Sequence, residues 1–506
     1  MEKIELGQPG FGAQLPENVA AYLWDSNRWW RNLAMDPPPP PQRRWLFEPA
    51  LQRLKAGLAP ILVLRGPRQV GKTTLKEQLI YHLLYDEGVN PKRIFQVQFD
   101  AIPSLKDVGD PILRLCRWFE HYVLEGYFNE QANKGEPVYI FFDEAQNLPD
   151  WSPQLKALVD HHRVRVLLTG SSALRIEAGR DSLAGRITTL DMGTLQLREI
   201  AALRGWGEIP PLLPFNGISH LKEKAFWENL REHGRKYREL RDRAFAAFSE
   251  RGGYPVAQVR PDRPWEEVAD QLNETVIRRV IHHDLRKSGR GPKRDHNLLE
   301  EIFRISCRYT GEAAGPSAYI PDLRWALGAD YTWPQVLKYL DLLDDSLLIR
   351  LVEPLEIRRK KRTGGLKICL CDHALRASWL QEIIPLTPEE LQRSPHLSDQ
   401  AGHLAESVVG YYLSGIPSLD IAWYPQRSLP EPEVDFILTV GTHRIPLEVK
   451  YRRQIDALHD TKGMRVFLEK AAYNAPFGIL VTLTDDVSIL DPRIIALPLS
   501  SLLLMR

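Results

Sequence analysis

Residues 61–74, ILVLRGPRQVGKTT, run a short apolar, β-branched stretch into a loop with glycines at 66 and 71, and TTLKEQLIYHLL continues with helical periodicity. Strand, glycine loop, helix leaves few choices of fold, because the strand must be buried and the chain must turn sharply at its carboxyl end. Gly66 to Thr73 fits G-x-x-x-x-G-K-[ST]. In that pattern the backbone of Gly66, Pro67, Arg68, Gln69, Val70 and Gly71 would curl around phosphate oxygens, and Lys72 would reach the β- and γ-phosphates of a nucleoside triphosphate. Thr73, followed by Thr74, would offer a hydroxyl to Mg²⁺, and the helix would point its positive end at the same anion.

The alternation continues downstream. RIFQVQFD (93–100), VYIFFDEA (138–145) and VRVLLTG (164–170) are short apolar runs separated by helical segments, which predicts a parallel sheet covered by helices. VYIFFDEAQ ends in two adjacent acids at the carboxyl edge where ligands bind such sheets. Asp143 would orient the magnesium ion and Glu144 would polarise an attacking water. Thr169 or Ser171, in LTGSS at the next strand end, are candidate sensors of the terminal phosphate; such residues also form ordinary turns. Arg186, in LAGRITTL, is either a cation for transition-state charge on a neighbouring subunit or one half of a surface ion pair.

The chain has 506 residues, enough for three or four compact units, and its 43% hydrophobic content and net charge of +1 leave any nucleic-acid site to a local basic patch. The first residues lack an export signal and no apolar run is long enough for a bilayer, so a cytoplasmic location is expected. Four scattered cysteines build neither a disulfide framework nor a zinc site, and Cys369 and Cys371 read as core. Residues 1–44 read as an N-terminal helical segment and proline linker, and 45–205 as the nucleotide-binding core. Residues 206–295 are charged and helical, interrupted by RGGYP at 251–255, and suggest a lid. His282, His283 and Asp284 cluster without enough further ligands for a metal. Residues 296–387 place an amphipathic helix before a hairpin, which suggests a winged helix. RRKKR at its tip, Arg358, Arg359, Lys360, Lys361 and Arg362, would meet DNA phosphates or form a solvated turn. Polar residues 388–400 read as a linker to a last unit at 395–506.

That last unit carries EVDFILTVGTHRIPLEVK. Glu448 and Lys450 alternate onto one face of a strand, and antiparallel pairing through a turn near Gly441–His443 would set Asp435 beside Glu448. Two carboxylates, joined by Glu406 from the preceding helix, would hold a divalent ion, and Lys450 would position a water. The alternatives are a solvated salt-bridge hairpin and a genuine nuclease-like fold whose activity is silent or restricted.

Taken in order, RGPRQVGKTTL, FFDEAQNLPDW, LTGSSALR, LAGR, RGGYP, the hairpin region and EVDF…LEVK resemble prokaryotic AAA+-type ATPases with a DUF4143 C-terminal region. The resemblance covers roughly residues 45–490. It implies an α/β multidomain chain: a P-loop AAA+ parallel sheet with a helical lid, a winged helix and a C-terminal restriction-endonuclease-like domain of the PD-(D/E)xK kind. It also implies ATP and Mg²⁺ as cofactors and a Gly-x-Pro element, here Gly253 and Pro255, that touches nucleotide; a ring-forming homo-oligomer is expected as well. The expected function is ATP hydrolysis coupled to work on DNA; the alternative is a regulatory NTPase acting on a protein partner.

Overall fold

A computed structural model describes residues 14–170, 181–284, 295–355, 365–425 and 433–506. The chain divides into two compact units: the residues up to Gly66 with Gly71–Met192, and Gly193–Arg506 grouped with the loop residues Pro67–Val70. Among the described residues no helix is long and apolar enough to cross a membrane.

The first unit is a five-stranded sheet: β1 (Ile61–Arg65), β2 (Ile94–Gln98), β3 (Val138–Asp143), β4 (Val164–Gly170) and β5 (Ile187–Asp191), in the order β2-β3-β4-β1-β5. Every neighbouring pair is parallel. Such a sheet is covered on both faces, which is why β3 is buried at every position and reads as a continuous apolar run. The fifth strand is ITTLD, in which Ile187, Thr188, Thr189 and Asp191 are only half-buried. An edge strand of this kind lacks the unbroken apolar run by which its neighbours are recognised.

Residues ahead of the prolines do not form a separate piece. The helix Glu17–Ser26 and the turn Arg28–Arg31 lead to the edge strand β2, where Asn27 exchanges two side-chain hydrogen bonds with the backbone of Gln96, at 2.9 and 2.8 Å. Trp29 and Trp30 both donate their indole N–H to the Ile94 carbonyl, at 3.1 and 2.9 Å. An open sheet edge invites strand pairing from other chains, and this segment blocks it.

In the second unit, three helices (His296–Arg308, Pro316–Leu327 and Trp333–Asp345) accompany a small antiparallel sheet of β6 (Ala313–Ala314), β7 (Ile349–Val352) and β8 (Leu366–Leu370). Residues 356–364 of the connection from β7 to β8, including Arg358–Arg362, lie outside the described residues. A second five-stranded sheet follows, built from β9 (Asp420–Tyr424), β10 (Val434–Val440), β11 (His443–Lys450), β12 (Gly478–Thr482) and β13 (Ile494–Pro498). Its order is β13-β12-β11-β10-β9, antiparallel across β9 to β11 and parallel across β11 to β13.

The stretch expected to be a free linker is packed structure. Pro388–Arg393 is helical with Leu391 buried, and the backbone N–H of Leu386 donates to Ser249 Oγ at 2.8 Å. The helices Lys224–Lys236 and Arg238–Arg251 share one apolar core with the helix Ser398–Ser414 and the last helix, Leu499–Leu502. Arg241, 2% exposed, fixes this junction by donating to Asp485 at 3.0 and 2.7 Å and to Ser501 at 2.8 Å.

Candidate functional site

At the carboxyl end of β1 the chain turns through Gly66–Gly71 into the helix Lys72–Tyr81. Gln69 and Gly71 take positive φ, 63° and 95°, so the loop curls back on itself; at Gly71 the left-handed backbone suits a residue without a Cβ. Lys72 is buried and donates to the Gly66 carbonyl at 2.9 Å, spanning the loop.

β3 brings Asp143 to the same edge, buried at 4% exposure. Its carboxylate accepts from Thr169 Oγ1 at 2.5 Å and faces Thr73 Oγ1 at 3.4 Å. These are hard oxygen donors, the set that suits Mg²⁺. Thr169, at the end of β4, is therefore tied directly to Asp143; Ser171 lies outside the described residues. Glu144 follows with a left-handed backbone, φ 59°, a conformation that costs of order 1–3 kcal/mol in a residue with a side chain. Its carboxylate is oriented by the Gln146 amide at 2.7 Å.

Two of these participants escape a reading by motif. Gln146 stands beside the acid pair in sequence, yet its role depends on the strained turn that folds it back. Lys76 is 1% exposed and donates to Asp143 Oδ2 at 3.1 Å. The available signal for Lys76 was its place one turn after Lys72 on the same helical face.

Arg186 sits at the opposite edge of the sheet. Its carbonyl accepts from Ile61 N–H, at the start of β1, whereas the phosphate loop begins after the strand's end. Five strand residues, roughly 16 Å, separate the two. Its guanidinium makes a two-pronged pair with Asp160, at 2.5 and 3.0 Å. Gly253 and Pro255 belong to the second unit: Gly253 N–H donates to Asp372 at 2.6 Å, and Pro255 opens the helix Pro255–Gln258. Tyr254 between them is fully buried, with its hydroxyl 3.5 Å from Cys371 Sγ.

The second unit has a polar pocket of about 760 Å³ lined by Glu406, Asp435, Glu448, Lys450, Arg452 and Asp460, among others. β10 and β11 pair antiparallel with Val440 opposite His443, leaving Gly441 and Thr442 as the two-residue turn, with φ 60° at Gly441. Asp435 thereby reaches β11, where it accepts from Val449 N–H at 2.8 Å. Lys450 donates to Glu448 at 2.6 Å.

A fifth residue, unforeseen from sequence, enters this group. Lys367 on β8 is 1% exposed and donates to Glu406 at 2.8 Å and to Asp435 at 3.2 Å. A divalent ion was expected among Glu406, Asp435 and Glu448, but it is the lysine that joins Glu406 to Asp435. Among the described residues no group of three or more His, Cys, Asp or Glu is arranged to hold a metal. Burial and the neighbouring Asp435 push both Glu406 and Glu448 up to about 8. Burial acts against ionisation of Asp435 as well, but Lys367 and then Lys450 hold its carboxyl below the usual range.

Residues 59–201 match the family model described as an AAA domain. This stretch is similar to AAA-type P-loop domains. Uncharacterized proteins of Mycobacterium bovis and Mycobacterium tuberculosis are each 32% identical over 192 residues. The matched segments cover 36% of this chain and 36% of either relative, so the chain spans about a third of their length. An uncharacterized protein of Haemophilus influenzae is 24% identical over 321 residues, 62% of this chain and 68% of that protein. Among solved structures, C. elegans PCH-2 aligns over 37% of this chain and 45% of its own with 15% identity and a TM-score of 0.21, a value too low to argue from.

Proposed function

We propose that the chain is an Mg²⁺-dependent ATPase whose AAA-type domain works as a ring of copies and couples hydrolysis to work on DNA. The observation that carries the ATPase reading is the convergence of Lys72, Thr73, Asp143, Glu144 and Thr169 at one sheet edge. Lys72 would contact the β- and γ-phosphates, and Thr73 and Asp143 would hold the metal, which supplies charge neutralisation for the departing phosphate. Glu144, presented by its strained turn, would polarise the attacking water, and Thr169 would sense the terminal phosphate through Asp143. The ring reading rests on Arg186, which lies a strand's length from its own phosphate loop and so suits a neighbour's site.

The DNA reading rests on the second unit. Three helices with a three-stranded antiparallel sheet support a winged-helix reading, and the basic run Arg358–Arg362 stands in sequence between the last two of those strands. The mixed sheet bearing Asp435, Glu448 and Lys450, flanked by the helix of Glu406, supports the reading of a nuclease-like module that contacts DNA. The test is ATP turnover with and without linear, branched and single-stranded DNA. Stimulation is expected, and replacing Arg358, Arg359, Lys360, Lys361 and Arg362 by Gln should weaken DNA binding across sequences and flatten its salt dependence. Turnover indifferent to every DNA would favour the second reading, a regulatory NTPase acting on a protein partner with a silent nuclease-like module. Lys367, seated between two of that module's acids, is the observation that keeps this second reading in play.

A further inference from the structure

Lys367 is held in place from every side. β8 lies between β6 and β7, with Lys367 opposite Ala313 and Val352. Side chains alternate along the strand, so Lys367 and Cys369 share the face turned to the helix Ser398–Ser414. Glu406 and Gly410, one turn apart on that helix, receive them. A Cβ at Gly410 would stand 2.3 Å from Cys369 Sγ and 2.9 Å from Phe436, so glycine is what permits this approach. Ser407 between them accepts from Leu370 N–H at 2.9 Å and from Thr310 Oγ1 at 2.8 Å, which fixes the register of strand against helix.

The lysine tip therefore enters the acids by construction. Its ammonium bonds to Glu406 and Asp435, lies 3.9 Å from Glu433, and sits 5.0 Å over the Phe436 ring. Burying an ammonium is costly unless several partners compensate, and here three carboxylates and an aromatic face do so. A divalent ion bridging Glu406 and Asp435 would need oxygens of both at about 2.0–2.6 Å, and the ammonium takes one oxygen of each, Glu406 Oε2 and Asp435 Oδ1, with the other Asp435 oxygen bound by Val449 N–H. Glu448, which also lines the pocket, is 7% exposed, and its buried Oε2 has no hydrogen-bond partner among the described residues.

We propose that Lys367 is the resident cation of this pocket, taking the place between Glu406 and Asp435 that a divalent metal would require, so that the pocket works without metal and does not cleave phosphodiesters. The wing strand β8 and the nuclease-like sheet then form one site, with the strand supplying the charge that a metal supplies elsewhere. This assignment does not depend on the ATPase or DNA reading, because it concerns metal binding alone.

The experiment uses the full chain, free of nucleotide, titrated with MnCl₂ and followed by calorimetry and thermal unfolding. Wild type, Asp435→Asn, Lys367→Met and Lys367→Met/Asp435→Asn are compared, so that any binding at the phosphate loop is common to all four. Wild type should show no Mn²⁺ site that Asp435→Asn removes. Lys367→Met should gain one, raising Tm by about 5 °C at saturating Mn²⁺, and the double variant should lose it. If Lys367→Met is unfolded in chelator, folding restored by Mn²⁺ but not by K⁺ is the same supporting result. An Asp435-dependent Mn²⁺ site in wild type overturns the proposal, as does a folded Lys367→Met protein that gains none. Should that variant stay unfolded under all conditions, the wild-type comparison decides alone.

Discussion

Arg186→Ala separates a role in catalysis from a role in holding the fold. The Arg186–Asp160 pair is bidentate but about a third exposed on each side, and exposed pairs add little to stability because water screens them and ordering two long side chains is costly. Its loss should move Tm by no more than about 2 °C. Nucleotide binding should also persist, because the arginine stands a strand's length from the loop of its own chain. Turnover, in contrast, should fall by about a thousandfold or more if the guanidinium meets transition-state charge on a neighbour. The deciding assay mixes Arg186→Ala with Lys72→Ala, each inactive alone, under conditions where subunits exchange. Each interface draws its phosphate loop from one copy and its arginine from the next, and in an equal mixture each part is intact half the time. About a quarter of the interfaces then regain both, so about a quarter of wild-type turnover should return. If mixed assemblies form, shown by tagged-subunit capture, and no activity returns, the shared-site argument is refuted.

Lys72→Ala should abolish ATP hydrolysis, whereas Glu144→Gln should still bind ATP and turn over about 100-fold or more slowly; binding and phosphate-release assays measure both. Arg241→Met should destabilise the second unit by about 3 kcal/mol in denaturant unfolding, the lower end for a broken buried pair because Arg238 remains 3.9 Å from Asp485. Burial alone would raise the Asp485 carboxyl, but Arg241 holds it below the usual range. The stability this pair gives is thus present above the ordinary carboxylate pKa and lost as pH falls through the lower folded value, and the variant's unfolding curve should lose that acid limb. Gly410→Ala should cost about 1–3 kcal/mol, because its methyl would collide with Cys369 and Phe436, and a comparable Ala substitution at Gly402, where an added Cβ meets nothing within 4 Å, should be tolerated.

What the sequence determined by itself is the chemistry carried by contiguous residues. The phosphate loop needs glycines and a lysine at fixed separations along one turn of chain, so Gly66–Thr73 announces it before any fold is known. Asp143 and Glu144 are legible for a similar reason: a wholly apolar strand that ends in acids has to present them at its carboxyl edge. The Asp435–Glu448 hairpin also follows from local rules, since strand alternation and a glycine turn set its register. Tertiary structure decided what depends on partners distant in the chain. β5 carries little signal of its own, because an edge strand is specified by the sheet it joins; the N-terminal segment is legible as a helix, but its attachment to β2 is not. Lys76 reads as one more charged helix residue until Asp143, 67 positions away, accepts its proton donor. Lys367 reads as a surface lysine on a hairpin, and nothing within its own stretch shows otherwise. Its charge meets Glu406 and Asp435, 39 and 68 residues further on, only because strand β8 packs against a helix that keeps a glycine at the point of closest approach. Burial turns that meeting into chemistry: out of water an unpaired ammonium is untenable, so the lysine and the acids fix one another's charge and position, and the pair spacing that suggests a metal is left holding an amine.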